Sequence, residues 1–112
     1  MYKEYNVKEF YPSVKEALGL IEIEIEKCKR EGIKVLKIIH GYGSNGVGGA
    51  ISVAVKQKVG IWKKHKLIED YLFGADWNSY NKKATEILFK YPNIPPDKDF
   101  NHGNMGMTIL IL

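Results

Sequence analysis

The fold is decided by the stretch VLKIIHGYGSNGVGGAI at residues 35–51. An apolar run leads into five glycines within nine residues, and apolar residues at helical spacing follow. The run predicts a strand over 34–40 that is covered on both faces, and the later spacing predicts a helix over 47–59. A glycine-rich turn between a strand and a helix gathers unpaired backbone N–H groups. We therefore expect an anion site there, and we expect the anion to be phosphate.

The turn and its flanking residues form the candidate phosphate site. Glycine tolerates positive φ and lets another group approach the backbone closely. His40 ends the strand, and it either donates a hydrogen bond to phosphate or holds the turn through backbone hydrogen bonds. Tyr42 is the exposed aromatic candidate. The predicted contacts in this stretch are His40, Gly41, Tyr42, Gly43, Ser44, Asn45, Gly46, Gly48 and Gly49.

Two other phosphate motifs fit the turn less well. Gly41, Gly43 and Gly46 match the G-x-G-x-x-G pattern of dinucleotide-binding folds, and Glu69 and Asp70 follow Gly46 by 23 and 24 residues. Such an acid would bind a ribose. However, a dinucleotide-binding domain places this turn after its first strand and needs a longer chain. A P-loop is excluded because no Gly-Lys-Ser/Thr follows the glycines.

The other elements follow from periodicity and capping residues. Ser13 and Glu16 form a capping-box pattern, and apolar residues then recur at three- and four-residue steps as far as Cys28. This predicts a helix over 13–31, preceded by a weak strand pattern at 5–10. The remaining predicted elements are a strand over 67–73, a helix over 79–90 and a last strand over 107–112.

The order of these elements predicts the fold class. It is β-α-β-α-β-β, with a helical insertion at residues 74–106 before the last strand. Two βα units imply crossover connections between parallel strands, so we expect an α/β two-layer sandwich with a mixed four-stranded sheet. A chain of 112 residues suits a single domain.

Composition limits the class of protein. Hydrophobic residues make up 45% of the chain and charged residues 27%, which is typical of a soluble globular protein. No apolar run reaches the roughly 18 to 20 residues of a membrane helix, and the first residues lack the apolar core of a signal peptide. The single cysteine, Cys28, fits a core position and a reducing compartment. We expect a cytoplasmic protein with no membrane partner.

Positive charge is concentrated at residues 56–66, which hold five lysines and no acid. Four of these lysines either contact the phosphates of a nucleic acid or form a solvated helix end: Lys56, Lys63, Lys64 and Lys66. Trp62 either stacks on a base or fills the core, and we favour the core position. The net charge of +4 is compatible with a nucleic-acid partner.

Other aromatic and histidine residues receive simpler interpretations. We expect Trp77 and Tyr80 to pack the insertion onto the rest of the chain, and His65 to lie on the solvated surface. The histidines do not form a close-spaced ligand set, so we predict no metal and no other cofactor. The loop that carries His102 either folds back toward the glycine turn or stays away from it, and we favour the second arrangement.

Three segments fit one known pattern in order and spacing. IIHGYG at 38–43, followed by GGAI at 48–51, is a His-Gly-x-Gly turn that enters a helix. SVKEAL at 13–18 begins the first helix, and GNMGMTILIL at 103–112 forms a closing Gly-x-x-Gly-x-Thr strand. Together these segments resemble the small MutS-related (Smr) domain family, over most of the chain outside about 74–100.

The resemblance implies both a fold and a function. It implies a β-α-β-α-β-β sandwich similar to the C-terminal domain of bacterial translation initiation factor three. It also implies nucleic-acid binding, with endonuclease or nicking activity in some members, and a role in DNA repair or RNA quality control. On this resemblance, Gly103 and Asn104 of the closing segment join the predicted phosphate contacts.

The chain departs from the family at one motif. Many Smr domains begin with Leu-Asp-x-His-Gly, whose Asp and His are implicated in catalysis, whereas VKEFYP at 7–12 has neither. Glu9 supplies the carboxylate of this region. The chain therefore resembles a subgroup of short bacterial Smr-like proteins that lack the motif.

These observations favour a domain that binds DNA or RNA through its glycine-rich loop. The first alternative is a divergent endonuclease, for which His40 and His102 are the candidate catalytic residues, but the missing motif argues against enzymatic activity. The second alternative is a protein–protein interaction module. Exposed sheet edges would permit a homo-oligomer, although nothing in the sequence selects one.

Overall fold

A four-stranded mixed sheet organises the computed structural model, which describes residues 2–10, 12–41 and 47–112. The side chains of Phe10, Val47 and Gly48 fall outside this description. The strands are β1 (Tyr2–Asn6), β2 (Val35–Ile39), β3 (Asp70–Phe73) and β4 (Met107–Ile111). The helices are α1 (Val14–Arg30), α2 (Val47–Lys64) and α3 (Lys82–Lys90), with short 3-10 helices at Val7–Phe10 and Gly74–Asp76.

The sheet has the strand order β1-β2-β4-β3. β1 pairs parallel with β2, whereas β4 runs antiparallel to both β2 and β3. The last strand of the chain therefore lies between two strands that come earlier in the sequence. The predicted α/β class with a mixed four-stranded sheet is confirmed.

The start of α1 confirms the predicted capping box. The Ser13 hydroxyl accepts a hydrogen bond from the Glu16 N–H at 3.2 Å, and the Glu16 carboxylate accepts one from the Ser13 N–H at 2.9 Å. The helix ends at Arg30, and Gly32, just after the C-cap Glu31, has a φ of +77°, the left-handed conformation that glycine adopts at low cost. The predicted helix over 13–31 is therefore confirmed to within one residue at each end.

The helices α1 and α2 cover one face of the sheet. Their apolar residues pack against alternate residues of β2 and β4 in a single buried cluster. This cluster includes Ala17, Ile21, Ile25, Cys28, Leu36, Ile38, Ile51, Val55, Val59, Trp62 and Leu110. Because both crossover helices lie on this face, it forms the predicted helix layer.

The 74–106 insertion covers the opposite face. Its buried residues pack against the other alternate set of strand residues, Val35, Leu72, Met107, Ile109 and Ile111. Trp77 is buried here and meets Phe100 edge to face, with ring centroids 5.0 Å apart. The expected packing role is confirmed for Trp77. It is wrong for Tyr80, which is 97% exposed.

Four predicted boundaries need correction. β1 lies at Tyr2–Asn6 rather than 5–10, because these residues pair in register with β2. β3 begins at Asp70 rather than 67, and α3 begins at Lys82 rather than 79, since the Asn81 side chain caps the helix. α2 continues to Lys64 rather than 59 because its buried stripe extends from Val59 to Trp62.

Candidate functional site

The base of the glycine turn lies at the end of β2. The backbone N–H groups of His40 and Gly41 both donate to the Gly106 carbonyl, each at 2.9 Å. Gly41 has a φ of +71°, so a left-handed residue begins the turn. The 102–106 segment thus reaches the turn through Gly106, which is the less favoured of the two arrangements expected from the sequence. Tyr42, Gly43, Ser44, Asn45 and Gly46 lie outside the described residues.

The N-terminal end of α2 follows the turn. Gly48 and Gly49 lie in the first turn of this helix, which begins at Val47. A helix N-terminus carries unpaired N–H groups and the positive end of the helix dipole. These two predicted contacts therefore lie in the first turn of a helix, and their role in phosphate binding stays a prediction.

His40 is 1% exposed, and both of its ring nitrogens have partners. Nδ1 lies 2.8 Å from the Gly41 carbonyl oxygen, which only accepts, so Nδ1 carries the proton. Nε2 lies 2.9 Å from the Thr108 hydroxyl and accepts from it in this neutral tautomer. Burial holds the His40 pKa below its usual value, and the nearby charge of Lys56 adds to the effect. The geometry matches the turn-holding role, while the phosphate and catalytic roles stay predictions.

The segment after the insertion forms the second side of the site. The Asn104 Oδ1 accepts from the Gly106 N–H at 2.8 Å, and its Nδ2 donates to Asp99 Oδ1 at 2.9 Å. His102 is exposed and lines an open cavity of about 450 Å³ together with Asp99, Gly103 and Asn104. Asn104 and Gly106 are thereby linked to the base of the turn, and His102 faces solvent.

A buried lysine lies behind this side of the site. Lys37 is 0% exposed, and its Nζ lies 2.7 Å from Asp97 Oδ1 and 2.6 Å from Asp99 Oδ2. Glu4 is a more distant partner at 3.8 Å. The second oxygen of Asp97 accepts from Trp77 Nε1 at 2.9 Å. We call Lys37, Asp97 and Asp99 the lysine cluster, and it joins β2 to the insertion.

Lys37 and Asp99 favour their charged forms in the folded protein. Burial works against the charged form of Lys37, but hydrogen bonds to Asp97 and Asp99 outweigh it and raise the lysine pKa. Burial likewise opposes the charged form of Asp99, but its bonds to Lys37 and Asn104 lower its pKa. A buried charge without such partners would be strongly destabilising. The cluster therefore holds together only with all three members present.

The lysine cluster connects to the glycine turn through a short chain of hydrogen bonds. Asp99 binds the Asn104 side chain, Asn104 binds the Gly106 N–H, and the Gly106 carbonyl accepts from both His40 and Gly41. Sequence reasoning missed this arrangement. Lys37 stands out as a lysine inside an apolar strand, but its acids follow 60 and 62 residues later, so no local pattern identifies them.

The predicted lysines lie along α2 and have different surroundings. Lys56 Nζ lies 5.7 Å from the centroid of the Phe73 ring. Lys63 Nζ lies 3.2 Å from Asp70 Oδ1, and Lys64 is exposed near the end of the helix. Asp70 therefore binds a lysine of its own chain, although the dinucleotide interpretation would place it on a ribose. His65 is exposed, as expected.

Trp62 and Cys28 occupy the core positions that the sequence predicts. Trp62 is buried, and its Nε1 donates to Glu22 Oε2 at 2.8 Å. Cys28 is fully buried, and burial together with a hydrogen bond to Glu24 raises its pKa to about 11. In the part of the chain that the structure describes, every helix falls short of the length or apolarity of a transmembrane span.

Comparisons with known proteins agree with this architecture. The family model of the Smr domain matches residues 11–90. The crystal structure of the Smr domain of Thermus thermophilus MutS2 is similar, with a TM-score of 0.60 and 19% identity. The match covers 98% of this chain and 96% of that chain, and at this identity it shows a shared fold. No curated protein matches at a significant level.

Proposed function

The chain belongs to the Smr domain family, and on that premise we propose that it binds nucleic acid through the phosphate backbone. The family is known for nucleic-acid binding and endonuclease roles. The proposed contacts are the glycine turn, the first turn of α2 and the lysines Lys56, Lys63 and Lys64. Binding of this kind depends strongly on salt and weakly on sequence, because phosphates are common to all nucleotides.

The observation on which the proposal rests is that two backbone hydrogen bonds to Gly106 fix the start of the glycine turn. The Gly106 carbonyl accepts from two successive N–H groups, His40 and Gly41, and the left-handed Gly41 then directs the chain into the turn. An anion site gains affinity when its donors are held in place before the anion arrives. The buried His40 side chain supports this arrangement through its bond to the Gly41 carbonyl.

The state of His40 favours binding over cleavage as the main activity. A general acid or base must reach the proton that it transfers. His40 is buried and neutral, and its ring nitrogens are occupied by Gly41 and Thr108. In this arrangement the ring serves the backbone of the turn.

A matched pair of glycine variants tests the proposal. Gly41 and Gly32 both adopt positive φ, at +71° and +77°, so alanine strains both positions similarly. Gly32 lies at the end of α1, and a Cβ there meets no atom within 4 Å. Binding to labelled single-stranded, hairpin and branched RNA and DNA is measured by fluorescence anisotropy across a salt series. We expect Gly41→Ala to weaken binding about tenfold, as loss of one or two phosphate contacts does, and Gly32→Ala to leave it unchanged.

Charge reversal and a cleavage assay complete the test. The double variant Lys63→Glu and Lys64→Glu should weaken binding further and flatten its salt dependence. An affinity for nucleic acid that is independent of salt and unchanged in all these variants would refute the proposal. Cleavage that is lost in His40→Ala while binding survives would establish the endonuclease alternative instead.

A further inference from the structure

The outer edge of β3 carries a convergence of lysines and aromatic rings. Tyr71 and Phe73 lie on the same face of the strand, with ring centroids 5.3 Å apart. Lys63 Nζ and Lys83 Nζ lie 6.0 and 5.6 Å from the Tyr71 centroid, and Lys56 Nζ lies 5.7 Å from that of Phe73. We call these five residues the β3-edge surface. Because its lysines come from both α2 and α3, it is not merely the solvated face of one helix.

We propose that the β3-edge surface binds an unpaired strand of nucleic acid, with its lysines on phosphates and its rings stacked on bases. The inference rests on the proposed function and narrows it to single-stranded DNA or RNA. Proteins that bind single strands combine a basic track with aromatic rings on which bases stack. A duplex hides its base faces in its own stack, so the rings would add nothing to duplex binding.

The charges of the surface suit a phosphate partner. Lys63 and Lys83 share one carboxylate oxygen, Asp70 Oδ1, at 3.2 and 3.0 Å. Their side chains are 50% and 43% exposed, and ion pairs this exposed contribute little stability. A phosphate can therefore replace Asp70 at small cost. Each ammonium group sits on a flexible stem, so it can move from a ring to a phosphate and leave the ring face to a base.

The backbone of β3 argues against a peptide as the partner. An edge strand recruits a peptide through unpaired N–H and C=O groups. At Tyr71 these groups are occupied, because the N–H donates to Asp70 Oδ1 at 2.9 Å and the carbonyl accepts from Lys83 Nζ at 3.3 Å. Side chains of the same chain thus block strand addition at this residue, while the three lysines stay exposed and the two rings, which also pack against the apolar cluster, stay partly exposed.

The surface is continuous with the proposed phosphate site. Lys56 belongs to it and lies close enough to His40 for its charge to lower the imidazole pKa. Trp62 cannot supply the stacking partner, since it is buried and bound to Glu22. A single strand of nucleic acid that binds at the glycine turn and continues along α2 would therefore reach Phe73 and then Tyr71.

The experiment compares a labelled single strand of about 12 nucleotides, as RNA and as DNA, with the matching duplex by anisotropy across a salt series. We expect the wild type to bind the single strand more tightly. The double variant Lys63→Gln and Lys83→Gln should lower the slope of log K against log salt by about 1.4, the loss of two single-strand phosphate contacts. The control is Lys8→Gln with Lys15→Gln, which removes equal charge from the 3-10 helix that follows β1 and from the first turn of α1.

Two further variants separate stacking and charge from folding. Tyr71→Leu with Phe73→Leu retains apolar packing and should weaken single-strand binding about tenfold without changing the salt slope. Asp70→Asn keeps an acceptor for the Tyr71 N–H but removes the competing charge. It should tighten binding about twofold to fivefold, as release of exposed ion pairs allows. A misfolded variant would not bind more tightly, so this gain is diagnostic.

The outcomes distinguish this inference from the proposed function. Salt-sensitive binding by the wild type, with β3-edge variants that behave like the control or with equal affinity for duplex, would overturn the inference alone. Absence of any binding to nucleic acid would overturn both.

Discussion

Lys37 and Ile38 are neighbours on β2, yet they face opposite sides of the sheet and are held by different forces. Ile38 packs with α1 and α2 in an apolar cluster. Lys37 is equally buried, but it is bound to Asp97 and Asp99 of the insertion. Apolar packing tolerates small changes of shape, whereas a buried ion requires every partner in place. The comparison shows that the helix layer is held by hydrophobic burial, whereas the insertion is held by hydrophobic burial together with a buried ion cluster.

Among the substitutions that test this difference between the two faces, Lys37→Ala should have the largest effect on stability. It leaves two poorly exposed carboxylates without their cation, and removing one partner of a buried ion pair destabilises a protein by about 3–5 kcal/mol. On the other face, Ile38→Val should cost only about 0.5–1.5 kcal/mol. Both free energies of unfolding are measured by urea denaturation. Equal effects of the two substitutions would contradict the distinction between the faces.

Two glycines, one beside the insertion and one in α2, test how closely the surrounding atoms pack at each position. A Cβ on Gly74 would lie 1.7 Å from the Asn104 carbonyl oxygen, so backbone must move to admit it. Gly74→Ala should destabilise the protein by about 1–3 kcal/mol, the cost of overpacking. In α2, a Cβ on Gly60 meets nothing within 4 Å, so Gly60→Ala should stabilise by up to about 1 kcal/mol. Thermal melts of both variants check the opposite signs.

The pH dependence of stability sharpens the role of Asp99. Its pKa is lowered in the folded state, so its stabilisation is present above the unfolded value of about 3.9 and is lost as the pH falls through the folded value. The Lys37 pKa is raised, so its stabilisation is lost only as the pH rises above about 10.4. Asp99→Asn should cost about 1–3 kcal/mol at neutral pH.

Urea denaturation of wild type and Asp99→Asn at a series of pH values measures this dependence. The gap between the two proteins should shrink as the pH falls below about 4, because Asp99 then takes up a proton first in the unfolded state and, at still lower pH, in the folded state as well. A gap that stays constant down to acid pH would show that the charge of Asp99 is not what stabilises the fold.

The smallest effect is expected for the thiol on the apolar face. Burial raises the Cys28 pKa to about 11, and the thiolate is the reactive form. In the native protein at neutral pH, Cys28 should therefore not react with a disulfide reagent on the time scale of free cysteine. As urea unfolds the protein, the rate of this reaction, measured by absorbance of the released product, should rise in parallel with the unfolded fraction. Rapid reaction without denaturant would show that this face opens easily.

Local patterns identified much of the fold. The capping box at Ser13, the helical stripe through Ile21 and Ile25 and the apolar run before His40 each depend on residues close in sequence, and each is confirmed. Boundaries failed where pairing or burial decided them. β1 is displaced because its register with β2 selects Tyr2–Asn6, and α2 is longer because Trp62 reaches the core.

The candidate site was only partly accessible to sequence reasoning. The glycines that follow a strand and the lysine-rich 56–66 segment can be recognised from the sequence alone. The partners of those lysines are not, since Asp70 and the β3 rings approach them only after β3 has joined the sheet. The Gly106 carbonyl likewise becomes a clamp for His40 and Gly41 because β4 lies beside β2.

The sequence by itself determined the element order, the Smr family pattern and the position of the glycine turn, because helical and strand periodicity and glycine chemistry act over a few residues. Tertiary structure alone decided which residues pack together on the face of the sheet that the insertion covers. It brought Asp97 and Asp99 to Lys37 across 60 and 62 residues, where a buried ammonium group requires carboxylates. Through Asn104 and Gly106, that distant pairing extends to the base of the glycine turn.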